Sequence, residues 1–115
     1  MEVLAGARPL HEIKAELFKA LGHPARVRVL ELLVDGPTQV SELLTSTGLE
    51  ASHLSQHLGV LRRSGVVMAR RDGNAVYYWL SHPSVAGLLA AARAFLLDSL
   101  GGTRDRLSEL EGELR

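Results

Sequence analysis

Short polar side chains are concentrated between Ser52 and His57, and their types are those that recognise the edges of nucleic-acid bases. The amide of Gln56 has the donor and acceptor needed to pair bidentately with adenine, and serine hydroxyls pair with several bases. Leucines recur at helical spacing through the same segment, so the polar side chains are expected on the outer face of a helix. The pattern predicts a helix that contacts DNA bases through Ser52, His53, Ser55, Gln56 and His57.

Two pairs of arginines follow this segment. Arg62 and Arg63 end the predicted helix, and Arg70 and Arg71 precede the turn sequence Asp72-Gly73-Asn74. Guanidinium groups at these positions are expected to contact phosphates or to enter a minor groove. The chain has 13 basic and 13 acidic residues, so its formal net charge is zero. The location of the arginines, and not the total charge, therefore supports a DNA-binding face.

The histidines and the arginines of the second helix leave alternatives open. His53 and His57 are four residues apart, a spacing that can bind a metal, but no third ligand is evident nearby and a metal there would compete with DNA. His57 is expected either to contact a base or to support the helix-turn-helix through a hydrogen bond. Arg26 and Arg28 are expected to form ion pairs or to position the motif, with DNA contact as the alternative.

An atypical metal site is the alternative hypothesis for a bound signal. Imidazole and carboxylate groups of the first helix and the C-terminal tail would suit nickel or zinc if they met across a dimer. Ordinary surface charge is the competing interpretation, and nothing in the sequence requires a cofactor. The candidate ligands are His11, Glu12, Glu16, Glu109 and Glu111.

Four helices are predicted up to the end of the polar segment. The first spans Leu10 to Leu21, and the second begins at Pro24, where the fixed φ of proline suits a first helical turn. The third is predicted to begin with Thr38 as its N-cap. The fourth spans about Ala51 to Arg63, with Gly65 as its C-cap.

A hairpin and a long apolar helix follow. Residues 66–71 and 75–80 are rich in β-forming types and predict two strands. The last helix begins at His82-Pro83, and its most apolar part, Val85 to Leu97, is too short for a membrane span and contains Arg93. We therefore expect a buried helix that is covered on more than one side. A single chain cannot hide so much apolar surface, so this helix is also expected to form an interface between two copies.

The predicted class is mostly α with a small β-hairpin (α+β), arranged as a winged helix-turn-helix. One domain is expected over residues 1–115, with two helices in 9–36, the helix-turn-helix in 38–64, the wing in 66–80 and a dimerisation helix and tail in 82–115. The chain has no cysteine, no Gly-rich phosphate loop and no nucleophile elbow, so an enzyme is not expected. The N-terminus does not resemble a secretion signal, and we expect a cytoplasmic protein without a membrane partner.

Three segments carry a resemblance to a known family. They are LGHPARVRVLELL from Leu21 to Leu33, VSELL from Val40 to Leu44, and HLSQHLGVLRRSGVVMARRDGNAVYYWL from His53 to Leu80. Together, and in this order, they resemble the ArsR/SmtB family of winged-helix regulators, and the resemblance covers about residues 10 to 100. It implies a repressor-like, DNA-binding homodimer built from the first and last helices, whose affinity responds to a signal.

The resemblance also implies two kinds of metal site, and the sequence departs from both. The stretch that corresponds to the family's cysteine motif, Glu31 to Asp35, has no thiol. The other site uses histidines of the last helix, and no histidine follows His82. The expected function is therefore that of a dimeric regulator that lacks both metal sites and binds a pseudo-palindromic operator. The alternatives are the atypical nickel or zinc site, a winged-helix module that binds protein, and regulation through a protein co-regulator.

Overall fold

The fold is described by a computed structural model that covers residues 8–100 and 109–112. Helices pack against a small antiparallel sheet, and the elements follow the predicted order with one added strand. They are α1 (Leu10–Leu21), α2 (Pro24–Leu33), β1 (Thr38–Gln39), α3 (Val40–Thr47), α4 (Ala51–Arg63), β2 (Val67–Asp72), β3 (Ala75–Leu80) and α5 (Pro83–Ser99). Residues 109–112 are also helical.

The segment before α3 is a strand and not the helix cap that the sequence suggested. Thr38 pairs with Tyr78, which makes a three-stranded sheet in the order β1-β3-β2. The Thr38 hydroxyl donates to the carbonyl of Gly36 at 3.0 Å, and the N-cap of α3 is Gln39, which makes no side-chain capping bond. The N-cap prediction for Thr38 was therefore wrong, because pairing with β3 satisfies this segment's backbone instead.

Glycines follow both helices of the central motif, and Gly65 was predicted at this position. Gly48 follows α3 with φ of 70°, and its N–H donates to the carbonyl of Leu44. At the end of α4, Gly65 has φ of 83°, and the N–H of Val66 donates to the carbonyl of Leu61 at 3.2 Å. This is the Schellman arrangement, which needs the left-handed backbone that glycine adopts without strain. The two glycines therefore terminate α3 and α4.

The core lies where α2, α3 and α4 meet the sheet and the start of α5. One face of α4 supplies Leu54, Leu58 and Leu61, which are almost fully buried. The remaining buried side chains are Val29, Leu30, Leu33, Leu43, Val66, Val67 and Val85. Because three turns of α4 are anchored by leucines, the opposite face of this helix is held outward.

The last helix is not buried within one chain. In α5 only Val85 is buried, whereas Phe95 is 67% exposed and Leu96 is 47% exposed. One chain has too few elements to cover this helix, so its exposed side chains form the surface on which the sequence predicted an interface between two copies. Phe18 of α1 is also 59% exposed. Among the residues that the structure describes, no helix is both long and apolar enough to cross a membrane.

Candidate nucleic-acid interface

The polar segment of α4 is presented to solvent. Ser52, His53, Ser55 and Gln56 are exposed, and the buried leucines occupy the other side of the same helix. The α3 helix and the turn at Gly48 precede α4, so the pair forms a helix-turn-helix with α4 as its second helix. In such motifs the second helix enters the major groove with its N-terminal residues near base edges. These four side chains therefore occupy the exposed N-terminal half of the second helix of the motif.

His57 is held by neighbours from the α1–α2 region. It is half-buried, and its ring centroid lies 4.4 Å from that of His23. The Nδ1 atom of His57 lies 3.3 Å from Nη1 of Arg26. Because a guanidinium has only donors, this contact makes Nδ1 the acceptor and leaves the ring proton on Nε2. Of the two interpretations of His57, the geometry favours support of the motif.

Arg26 connects three parts of the fold. Its Nε donates to the carbonyl of Ala20 at 2.5 Å, and Nη2 donates to the carbonyl of Lys19 at 3.5 Å. These carbonyls end α1, while Nη1 reaches His57 in α4. Among the expectations for Arg26, positioning of the motif fits this geometry, because within the described residues its partners are carbonyls and an imidazole and no carboxylate.

The environment of His57 makes a pH-dependent stability expected. Burial, followed by the charges of His23, Arg26 and His53, lowers the pKa of His57 from its ordinary range. The unfolded chain therefore takes up a proton at a higher pH than the folded chain. The contribution of His57 to the free energy of unfolding should be largest above the ordinary histidine pKa of about 6.5. It should decrease as the pH falls below that value.

Urea unfolding between pH 5 and 8 measures this effect. The variant His57→Gln should show a flatter pH profile than the parent, since it removes the titrating ring. His11→Gln is the matched control, because His11 is exposed on α1. A His57→Gln profile as steep as the parent's, after subtraction of the His11→Gln change, would contradict the assignment.

The four arginines of the predicted interface are all exposed. Arg62 and Arg63 lie in the last turn of α4. Arg70 and Arg71 lie near the tip of the β2–β3 hairpin, opposite Tyr77 and Val76 respectively. Neighbours on a strand point to opposite faces of a sheet, so Arg70 and Arg71 leave the wing in different directions. Within the described residues none of the four makes an ion pair, and all four are free to meet phosphates.

Sequence reasoning missed a contact that ties the wing to the motif. Nε2 of Gln39 donates to the hydroxyl of Tyr77 at 2.9 Å, and Gln39 pairs with Tyr77 in the sheet. The residues are 38 positions apart, and the segment before α3 shows no strand pattern of its own. Pro37 restricts the residue before it, Gly36, and not Thr38 or Gln39, so the local sequence carried no signal for this strand.

The metal-ligand candidates are engaged by arginines. On α1, Glu16 accepts from Arg8 at 2.6 Å, and Glu12 lies 3.7 Å from the same guanidinium. Glu111 lies 3.1 Å from Arg93 of α5. His11 and Glu109 are exposed, and the described part of one chain brings no three potential ligands together. A site completed by a second chain stays a prediction.

A helix-turn-helix followed by a two-stranded wing, with a polar stripe on the second helix, defines a winged helix-turn-helix DNA-binding fold. Comparison with known proteins agrees with this class. The sequence profile of the bacterial regulatory protein arsR family matches residues 23–68. The chain is 57% identical over 106 residues to the uncharacterised HTH-type transcriptional regulator Rv0081 of Mycobacterium tuberculosis, a match that covers 91% of this chain and 90% of the relative.

Further relatives and solved structures also belong to the class of DNA-binding regulators. The chain is 42% identical over 77 residues to the biofilm growth-associated repressor of Xylella fastidiosa, covering 67% of this chain and 68% of that one. The crystal structure of Rv0081 superimposes with a TM-score of 0.76 at 56% identity, over 88% of this chain and 99% of the other. A homodimeric winged helix-turn-helix DNA-binding domain from Mycobacterium bovis superimposes with a TM-score of 0.70 at 33% identity, over 76% and 81%.

The chain belongs to the arsR family of bacterial regulatory proteins. It is accordingly a transcriptional regulator with a helix-turn-helix DNA-binding fold, a class without enzymatic activity. The resemblance drawn from the sequence segments is confirmed.

Proposed function

We propose that the protein is a homodimeric regulator that places α4 of each chain in the major groove of a pseudo-palindromic operator. The N-terminal half of α4 contacts bases, and the arginines of α4 and of the wing contact the backbone. We also propose that residues 1–115 form one domain, with two helices in 9–36, the helix-turn-helix in 38–64, the wing in 66–80 and the dimerisation helix and tail in 82–115. A role on the chromosome also implies a cytoplasmic protein.

The single observation that supports this function is the division of α4 into two faces. Leu54, Leu58 and Leu61 are anchored in the core, while Ser52 and Gln56 stay exposed. Such a helix can enter the groove without disturbing the core that holds it. The exposed arginines at the end of α4 and on the wing supply the charge that phosphate contact requires.

The proposed dimer rests on exposed apolar side chains of α1 and α5. Leu10 and Phe18 of α1, and Phe95 and Leu96 of α5, are each close to half exposed or more in the single chain. Patches of this kind usually mark interfaces. The homodimeric state of the Mycobacterium bovis domain supports the same assembly. Two copies related by a twofold axis would place their α4 helices about 34 Å apart, or a multiple of that.

A mobility-shift titration tests the function. The probe is the promoter next to the protein's own gene, at rising salt concentrations. We expect binding that weakens steeply with salt, because each phosphate contact releases counterions. Binding that is absent at low salt, or independent of salt, would reject the proposal. Co-purification of a stable protein partner in that case would favour the protein-interaction module, which the zero net charge also permits.

Gln56 is expected to determine sequence preference. The variant Gln56→Ala should lose discrimination at one base pair of each half-site, by roughly 1–3 kcal/mol, as expected for a bidentate contact. Selection from a randomised operator pool measures the change. Thr45→Ala, at an exposed position of α3, is a control for a general loss of affinity. An unchanged preference profile for Gln56→Ala would remove Gln56 from the base-reading set.

A further inference from the structure

We propose that an open recess beside α4 binds one phosphate of the DNA backbone. Arg63 contacts the phosphate, Gly59 leaves room for the Arg63 guanidinium, and Arg26 holds a second positive charge at the recess. The proposal rests on the DNA-binding function proposed above and adds a defined site and two positioning residues to it. The residues that line the recess are Arg26, Ser55, Gln56, His57, Gly59, Val60 and Arg63.

The lining is suited to an anion. Two of its side chains are arginines, none is acidic, and Ser55 and Gln56 add neutral donors. The Arg63 side chain is exposed and has no ion pair within the described residues. Charge-assisted bonds from guanidinium to phosphate are short and strong, so a free guanidinium beside neutral donors favours this ligand.

Gly59 explains how Arg63 reaches this position. A Cβ atom placed on Gly59 would lie 3.1 Å from Nη1 of Arg63, so the guanidinium rests against the helix where a side chain would otherwise stand. Glycine is disfavoured inside a helix because of its backbone freedom. A glycine at this position within α4 leaves the space beside the helix that the Arg63 guanidinium uses.

Arg26 fixes the other wall of the recess. The carbonyls of Ala20 and Lys19 and the Nδ1 of His57 hold its guanidinium on three sides. Part of its charge still faces the recess, which it lines. The same contacts connect the end of α1 to the flank of α4. Arg26 is therefore a positioning residue that holds a positive charge at the wall of the recess that Arg63 also lines.

The position of the recess along α4 indicates a backbone phosphate and not a free anion. Ser52, Gln56, Gly59 and Arg63 follow one face of the helix at intervals of four, three and four residues. From Ser52 to Arg63 the axis advances by roughly 16 Å, at 1.5 Å per residue. The major groove is about 12 Å wide. With Ser52 at the base edges, the Arg63 end of the helix reaches the phosphates at the groove margin.

A double-mutant cycle on the bound promoter duplex tests the site. Arg63→Gln is expected to weaken binding about tenfold and to lower the salt slope by about one, the change for one phosphate contact. Gly59→Ala should weaken binding about twofold to threefold without changing the protein's charge, because the new methyl group shifts the guanidinium by a few tenths of an ångström. In the Arg63→Gln background, Gly59→Ala should have no further effect. Arg62→Gln is the control, since Arg62 does not line the recess: its effect should add to that of Gly59→Ala.

The DNA side of the contact gives a second test. A neutral methylphosphonate at one backbone position per half-site should weaken binding of the parent protein and leave the Arg63→Gln variant unaffected. Wild-type affinity of Gly59→Ala, additive effects of Gly59→Ala and Arg63→Gln, or equal sensitivity of parent and Arg63→Gln to every methylphosphonate would each overturn the site while DNA binding stood. Failure of the parent protein to bind DNA would instead overturn the proposed function.

Discussion

Replacing Arg70 and Arg71 together with glutamine is expected to reduce affinity for every DNA sequence by about tenfold to a hundredfold at moderate salt. Both guanidinium groups are exposed near the hairpin tip and have no ion pair within the described part of the chain. Loss of two phosphate contacts should lower the slope of log K against log salt by about two. Fluorescence anisotropy on operator and random duplexes at four salt concentrations measures both quantities.

The single variants should differ from each other. Arg71 pairs with Val76, and Val76 lines the same groove as Ala51 and Ser55 at the start of α4. Arg71 therefore leaves the wing on the side of α4, and Arg70 leaves it on the opposite side. We expect both single variants to lose affinity, with the larger loss for Arg71→Gln. Arg28→Gln, an exposed arginine of α2, is the control for a general charge effect. A loss as large for Arg28→Gln as for the wing pair would contradict direct phosphate contact.

Changing Phe95 to aspartate is expected to convert the dimer to a monomer at micromolar concentration. The Phe95 side chain is 67% exposed in one chain, so the change should leave the fold of that chain intact. Across a twofold interface it would bury two unpaired carboxylates in place of two aromatic anchors, and a single lost aromatic anchor commonly costs about 2 kcal/mol or more. Light scattering measures the mass, and circular dichroism confirms that the helices remain.

The affinity for DNA should decrease when the proposed dimer dissociates. Two linked half-site contacts reinforce each other, and their separation commonly costs a factor of about a hundred or more in affinity. Met68→Asp is the matched control, because Met68 is also an exposed apolar side chain, 51% exposed, and lies on strand β2 of the wing. A dimer that persists in Phe95→Asp, or that is lost equally in Met68→Asp, would place the interface elsewhere.

Most of the secondary structure was predictable because its signals are local. The spacing of Leu54, Leu58 and Leu61 determined both the existence of α4 and its outward face, and the structure agrees. The turn at Gly73 and the β-forming residues on both sides of it predicted the hairpin in the same way. In each case the residues that decide the element lie within one element or one turn of each other.

The strand pairing of Thr38 and the partial exposure of α5 both depend on partners that are distant in the chain. Thr38 has the chemistry of a helix cap, but the β3 strand forty residues later in the chain gives its backbone a better arrangement. The helix α5 has the composition of a buried element, yet one chain supplies only enough neighbours to bury Val85. Composition predicts that apolar surface will be covered, but it does not show whether the same chain provides the cover.

The amino-acid sequence by itself determined the family, the order of the helices, the hairpin and the polar face of α4, since each follows from periodicity, turn residues or a contiguous motif. The tertiary structure decided the roles of Arg26, His57 and Gly59. Arg26 and His57 are 31 positions apart, and only the packing of α2 against α4 brings the guanidinium to the imidazole. The physical reason is that spacing along one helix reveals which side chains share a face, whereas contact between two helices depends on how their buried faces fit together.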